Sequence, residues 1–401
     1  MTAAARGTLE EMKIICGGGG PAGLYFAILM KRYDPGHEIT VLERNPPGRT
    51  YGWGVVFWDD LVDTLRAADR PTAEAIEGHA FGWTGERLVV NGSGPVQVPG
   101  RGWAIGRRRL LELLLERAQA LGVDVRFNCE VENRPDADLV VACDGAGSRL
   151  RQANADAFKT EVRVGSNKYL WLGTTKVFNA FTFSFVPTDA GWIWCHAYGF
   201  DEHTSTFIVE CSAETWADLG FDGLGEEETL ALLGQLFADE LDGHPLRSNG
   251  GVQWLSFRTV TNERWDHENV VLMGDAAHTT HFTIGSGTKL ALEDAVALAA
   301  NLSEGRDLQR ALASYGRERR RALRRAQTDA RFSAQWFENV PRYASLEPER
   351  LFALMHERRS PLLPRIPPPA YYRLHQATHD VAALRRLRGW AAPKIKALYG
   401  P

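Results

Sequence analysis

The sequence predicts an α/β protein in which a Rossmann-like domain is interrupted by a mostly antiparallel β-sheet domain and followed by a C-terminal helical segment. Three observations predict it. Lys13-Ile14-Ile15-Cys16, a glycine-rich turn, helically spaced apolar residues over 21–33 and Glu38-Ile39-Thr40-Val41-Leu42-Glu43 make a strand–turn–helix–strand unit. Between about 160 and 260, aromatic-rich runs of β character follow one another without helices between them. Apolar spacing is helical again over 289–303 and 307–330, and a Pro-rich stretch, 361–369, breaks the tail before helical character resumes near 379–389.

The remaining elements follow in order. Residues 1–11 lack the apolar core of a signal peptide and read as a loose extension ahead of Met12. Leu110, Leu111, Leu113, Leu114 and Leu115 give 107–120 an amphipathic helical pattern. Val123–Phe127 and Leu139–Cys143 read as further strands of the first sheet. Leu170–Gly173, Phe181–Phe185, Trp192–His196 and Thr206–Glu210 are the aromatic β runs, and a helix is expected near 226–241. Val270-Val271-Leu272-Met273 reads as a buried strand.

Composition narrows the function classes. The chain has 401 residues, is 44% hydrophobic and 24% charged, and carries a net charge of −4, so no basic field argues for nucleic acid. No apolar run approaches the roughly 18 residues a membrane helix needs. The five cysteines form no CxxC pair, which suits reduced thiols in a cytoplasm. A homodimer is compatible with this composition.

Three separated segments suit one ligand. Gly18, Gly20 and Gly23 satisfy G-x-G-x-x-G after a strand and before a helix: a tight turn, a close approach to a pyrophosphate, and close helix–strand packing. The helix N-terminus supplies free N–H groups. Glu43, with Arg44 beside it, ends the second strand where a carboxylate accepts from a ribose hydroxyl. Asp144-Gly145-Ala146-Gly147-Ser148 and Gly274-Asp275-Ala276-Ala277-His278 follow. A flavin dinucleotide needs a phosphate loop, a second pyrophosphate contact and a ribityl contact, so the trio points to FAD.

With these motifs in this order, the chain resembles the single-component FAD-dependent aromatic hydroxylases of the para-hydroxybenzoate hydroxylase type over roughly residues 12–335. The resemblance implies that Asp144 and Gly145 sit near the pyrophosphate, that Asp275 contacts the ribityl chain, and that Arg107 reaches the FAD. A plain surface role for Arg107, within the triplet Arg107, Arg108 and Arg109, stays open. In the loop His281-Phe282-Thr283-Ile284-Gly285-Ser286-Gly287-Thr288, glycines before a helix place N–H donors near the flavin's pyrimidine edge, and Gly285, Gly287 and Thr288 are expected cofactor contacts. The family commonly has proline where this chain has His281-Phe282. That departure, with Gly52–Phe57, Asn167–Thr174, His196-Ala197-Tyr198 and Ser205–Glu210, resembles a narrower branch. It includes salicylyl-CoA 5-hydroxylase, the monooxygenase half of 2-aminobenzoyl-CoA monooxygenase/reductase, and a tryptophan-derived pigment hydroxylase.

The resemblance implies an enzyme: an aromatic-ring monooxygenase using NADPH or NADH and molecular oxygen through a flavin C4a-hydroperoxide. Its expected substrate is a small aromatic, a hydroxy- or aminobenzoyl group held as a CoA or carrier-protein thioester. A free tryptophan- or indole-derived substrate is the alternative, and a flavin redox protein without oxygenase activity is the alternative of another class. His281 and His196 are candidates for positioning or proton transfer, beside purely structural roles. Trp171, Trp194, His196 and Phe282 are expected at the substrate. His278 and His281 have H-x-x-H spacing, but nothing nearby completes a metal set, so no metal is expected. Trp192-x-Trp194 is similar to the W-x-W-x-I-P string of flavin halogenases but lacks the Ile-Pro. Arg317, Arg319, Arg320, Arg321, Arg324 and Arg325 read as a solvated helix face, partly paired with carboxylates such as Glu318, rather than a phosphate site. The expected domains are an FAD-binding domain over 12–77, 101–158 and 258–330, a substrate domain over 78–100 and 159–257, and a helical segment over 331–401.

Overall fold

The computed structural model describes residues 11–380 and Lys394. The expected extension up to residue 10, and the part of the tail helix expected beyond residue 380, lie outside the described residues.

The first domain is built on a six-stranded sheet in the order Asp266–His267, Val270–Leu272, Leu139–Ala142, Lys13–Gly17, Glu38–Glu43, Asp124–Phe127. All neighbours are parallel except the first pair. A parallel sheet is covered on both faces, which is why Leu139–Ala142 and Val270–Leu272 are wholly buried. The helix Pro21–Tyr33 opens with proline, whose missing N–H is not needed in a first turn. It is buried along ten consecutive residues because it packs between the sheet and the helices Arg107–Ala120 and Gly287–Ser303.

The second sheet has eight strands in the order Leu246–Arg247, Lys168–Thr174, Ser205–Cys211, Gly191–Gly199, Phe181–Thr188, Phe81–Val90, Val96–Gly106, Gly54–Phe57. Only Phe181–Thr188 beside Phe81–Val90 is parallel. The expected boundary at residue 101 cuts the strand Val96–Gly106, and Gly54–Phe57, within the expected FAD-binding stretch 12–77, pairs with the end of that strand, so both extend the substrate-side sheet. A separate two-stranded ribbon joins Thr160–Val164 to Arg258–Asn262.

Strand alternation sorts the aromatic runs onto two faces. Leu170, Leu172, Phe207, Val209, Ile193, Cys195 and Ala197 share a core with Leu233 and Leu241 from the helices Glu226–Leu236 and Ala238–Leu241 and with Phe237 between them. On the other face, register places Glu210 opposite Tyr169 and Trp194, and Ile208 opposite Trp171 and His196.

The helix expected over 307–330 runs on, as Leu308–Phe337, because Trp336 and Phe337 bury themselves against Phe185 and Trp194 of that second face. One helix therefore ties the two domains together. Pro348–His356 and Pro368–Asp380 complete the cover. The last of these begins within the Pro-rich stretch, since prolines are accommodated in a helix's first turn.

The arginine-rich part of this long helix departs from the expected solvated face most at Arg319, while Arg320 is half-buried and donates to the Gly316 and Glu263 carbonyls. Arg317, Arg321, Arg324 and Arg325 are exposed. Arg319 is buried: Nε donates to Asp294 Oδ1 at 2.7 Å and an Nη to Glu293 at 3.1 Å. Helical geometry turns it inward, between flanking buried residues Tyr315 and Leu323. Glu318 accepts from Asn301 rather than from an arginine of the run.

Candidate active site

A cavity of about 230 Å³ opens where Lys13–Gly17 gives way to the helix Pro21–Tyr33. Gly18, Gly20, Glu43, Arg44, Arg107, Asp144 and Gly145 all line it. The three motif glycines differ physically. Gly18 has φ +124°, and a Cβ there would lie 2.3 Å from the Cys143 carbonyl oxygen. A Cβ on Gly23 would lie 2.2 Å from the Gly18 carbonyl oxygen, so helix and turn touch through this glycine. A Cβ on Gly20 would meet nothing within 4 Å. The middle glycine thus borders open space at a helix N-terminus, where N–H groups lack intrahelical partners.

The walls are polar and rich in arginine. Glu43 Oε2 accepts from Gly19 N–H at 2.8 Å, and Oε1 from the backbone and side-chain nitrogens of Asn45 at 2.8 and 2.7 Å. Arg44, Arg49, Arg107, Arg108 and Arg149 surround the same space, which suits a pyrophosphate. Asp144 Oδ2 accepts from Arg149 N–H at 2.7 Å, while its buried Oδ1 has no partner. Burial pushes the Asp144 carboxyl above its usual range. A buried acceptor without a donor, beside a helix N-terminus bordering open space, fits a dinucleotide that brings its own hydroxyls and phosphates.

The third segment is joined to the second. Arg151, buried, donates to the Ala276 carbonyl at 3.0 Å and the Ala146 carbonyl at 2.5 Å. Asp294, on the helix Gly287–Ser303, gathers Gly274 N–H at 3.0 Å, His278 Nε2 at 2.8 Å and Arg319. Burial pushes the Asp294 carboxyl up, but the charges and hydrogen bonds of His278 and Arg319 prevail and hold it below its usual range. Asp275 is left out of this knot and presents its side chain to open space. Its depth in the molecule raises its carboxyl above the ordinary range, opposed by His278 and by Arg107. Burial lowers the Arg107 pKa, and Asp275 offsets that. Arg107 therefore belongs electrostatically to both the cavity and the third segment.

The loop that follows faces the aromatic sheet. Gly285, at φ +64°, stands against Val56 and Trp58, where a Cβ would come within 2.8 Å of either side chain. Gly287 begins the helix that continues through Thr288. Phe282 lies 4.9 Å from the Tyr169 ring and 5.7 Å from His196, and its ring stacks on His281 at 4.4 Å. Trp171 lies on the same sheet face, with Gly52 closing on its ring. Trp194 packs instead between Phe185 and Phe337, with its indole nitrogen bonded to Glu210. His278 and His281, spaced like a metal pair, turn to different partners, Asp294 and Thr283.

Under this aromatic layer lies a buried carboxylate that motif reading passed over. Glu210 Oε1 accepts from Asn167 at 2.8 Å, and Oε2 is bonded by Trp194 Nε1 at 3.1 Å and His196 Nε2 at 3.2 Å. Burial pushes this carboxyl up, but the hydrogen bond of His196 and the nearness of His281 leave it below its ordinary value. For His281 burial dominates and lowers the pKa to about 4. The available sequence signal was a glutamate inside an otherwise apolar β run, paired by alternation with His196's face. Asp294 and Arg319 gave no local signal, because their partnership crosses two helices.

Comparison with known proteins gives a consistent result. Residues 132–330 match the FAD binding domain family. The chain is 42% identical over 393 residues to salicyloyl-CoA 5-hydroxylase of a Streptomyces species, covering 94% of this chain and 74% of the relative. It is 38% identical over 333 residues to 3-hydroxy-4-methyl-anthranilyl-[aryl-carrier protein] 5-monooxygenase of Streptosporangium sibiricum, covering 82% and 90%. Among solved structures, 2-methyl-3-hydroxypyridine-5-carboxylic acid oxygenase superposes with a TM-score of 0.67 at 19% identity, covering 85% of this chain and 97% of the other.

Proposed function

The chain belongs to the FAD-dependent aromatic monooxygenases, and we propose that it hydroxylates a hydroxy- or aminobenzoyl ring carried as a CoA or carrier-protein thioester. The observation that carries the substrate class is the pair of relatives whose names specify such thioesters, spanning most of this chain. The aromatic side chains agree with an aromatic guest: Tyr169 and Trp171 share one face of the second sheet, and Phe282 of the Gly274–Thr288 segment packs on Tyr169.

Bound FAD would accept hydride from NAD(P)H and activate oxygen; the protein's part is holding, orienting and excluding water. Gly18, Gly20 and the N-terminus of Pro21–Tyr33 would hold the pyrophosphate, with Gly23 keeping that helix in place. Glu43 and Arg44 would hold the adenosine end, Arg107, Asp144, Gly145 and Asp275 the middle, and Gly285, Gly287 and Thr288 the flavin edge. Tyr169, Trp171 and Phe282 would clamp the ring, with His196 beneath Phe282 and Trp194 supporting from below. Overall, NAD(P)H, a proton, oxygen and a ring C–H become NAD(P)+, water and a ring C–OH.

Rates of NAD(P)H consumption test the tether. Salicylyl-CoA or anthraniloyl-CoA should stimulate the FAD-loaded protein at least about tenfold more than the free acids, the scale of one lost binding interaction. Stimulation by free indolic compounds alone would replace this substrate with a tryptophan-derived one.

A further inference from the structure

A line of side chains runs from the C-terminal segment to His281, with a fixed donor at one end and two hydroxyls between. Arg358 Nε lies 3.1 Å from Ser333 Oγ, Ser333 Oγ lies 2.8 Å from Thr283 Oγ1, and Thr283 Oγ1 lies 2.9 Å from His281 Nδ1. A second Arg358 nitrogen donates to the Thr283 carbonyl at 3.2 Å. Ser333 is completely buried.

An obligate donor bears on each end of this line. A guanidinium has no acceptor, so Ser333 Oγ accepts from Arg358, which leaves its own proton free to go to Thr283. At the other end, the backbone N–H of Thr283 points at His281 Nδ1 from 3.5 Å, so His281 is the accepting cap of the short helix Phe282–Ile284. Nδ1 therefore carries no proton, Thr283 Oγ1–H donates to it, and Ser333 Oγ–H donates to Thr283 Oγ1. With Nδ1 accepting from the Thr283 backbone N–H, this order gives every donor in the line an acceptor.

We infer that Arg358, Ser333 and Thr283 form a one-way hydrogen-bond chain that fixes His281 as its Nε2-protonated tautomer, so that His281 offers the site an N–H donor for a carbonyl or hydroxyl oxygen of the aromatic substrate instead of a proton-accepting nitrogen. Arg358, Ser333 and Thr283 are positioning residues acting through His281. The burial that lowers the His281 pKa to about 4 agrees, since a neutral imidazole with Nδ1 occupied has only its Nε2–H to give. The substrate part rests on the reading of the site given above; the tautomer does not.

The test is nitrogen-15 NMR on FAD-loaded protein labelled at histidine, near pH 7.5, with the His281 signals identified by their loss in His281→Gln. An unprotonated Nδ1 and protonated Nε2 in the wild type, with the second tautomer appearing in Thr283→Val or Arg358→Ala, supports the chain. A protonated Nδ1 in the wild type, or unchanged tautomers in both variants, overturns it. Thr283→Val is nearly isosteric and guards against a misfolded Arg358→Ala. The kinetic counterpart is a fall of about tenfold in kcat/KM for an aryl thioester in Thr283→Val, recovered in Thr283→Ser. A wild-type tautomer as inferred, in a protein that no aryl thioester stimulates, would sink the substrate reading and leave the hydrogen-bond chain standing.

Discussion

Arg151 donates to the carbonyl oxygen of Ala276 at 3.0 Å, across 125 positions of sequence. With its second bond to Ala146 it fastens the Asp144–Ser148 turn to the Gly274–His278 turn. The two turns thus have a fixed separation before any ligand arrives, which is what a long dinucleotide spanning both requires.

Replacing Arg151 with methionine should keep the bulk and lose both bonds. Two carbonyls would be left short of a donor, and stability should fall by about 2–3 kcal/mol. FAD affinity should fall by about tenfold or more. Thermal melting and flavin titration read the two effects separately.

The motif glycines should separate folding from ligand binding. Gly20→Val faces open space in a backbone conformation any residue adopts, so melting should change by less than about 1 kcal/mol while FAD binding is lost. Gly23→Ala drives a Cβ to 2.2 Å from the Gly18 carbonyl oxygen and should cost about 3 kcal/mol or more. Equal loss of stability in both would contradict the cradle.

Glu210 should be the costliest polar side chain of the second sheet to remove. Glu210→Ala strands Asn167 Nδ2, Trp194 Nε1 and His196 Nε2 inside an aromatic layer, at about 3–5 kcal/mol. Glu210→Gln keeps one acceptor and should cost less than half as much. Denaturant melts of the two variants check this order.

His281 gives a pH dependence of definite sign. Its pKa falls from 6.5 to about 4 on folding, so between those values the unfolded chain binds the extra proton. Its contribution is therefore fully present above pH 6.5 and declines as pH falls toward 4, by up to about 3 kcal/mol. The His281→Gln variant should flatten the stability profile in this window. His37 and His356, also lowered by burial, keep their slopes in both proteins, so the difference isolates His281.

The first sheet was legible because its signals are local: Gly18, Gly20 and Gly23 follow one strand, and Val270–Met273 runs straight into Gly274-Asp275. The two faces of the second sheet followed from alternation once the strands were placed. Its edge was not legible. Gly54–Phe57 reads as part of the first domain in sequence and joins the second sheet only through pairing with Val96–Gly106. Arg319 was hidden in a run of like charges, and only the position of Asp294 shows which arginine turns inward. Arg358 offered no motif; its role depends on Ser333 and Thr283 meeting from three separate segments.

The central claim is tested most directly by the fate of oxygen. FAD-loaded protein is given NAD(P)H and an aryl thioester under 18O2, and the product is weighed by mass spectrometry. The account predicts one 18O atom in a new ring hydroxyl, formed in step with NAD(P)H consumption. NAD(P)H consumption without 18O in any ring product, across thioester, free-acid and indolic substrates, would contradict it and leave a flavin redox protein.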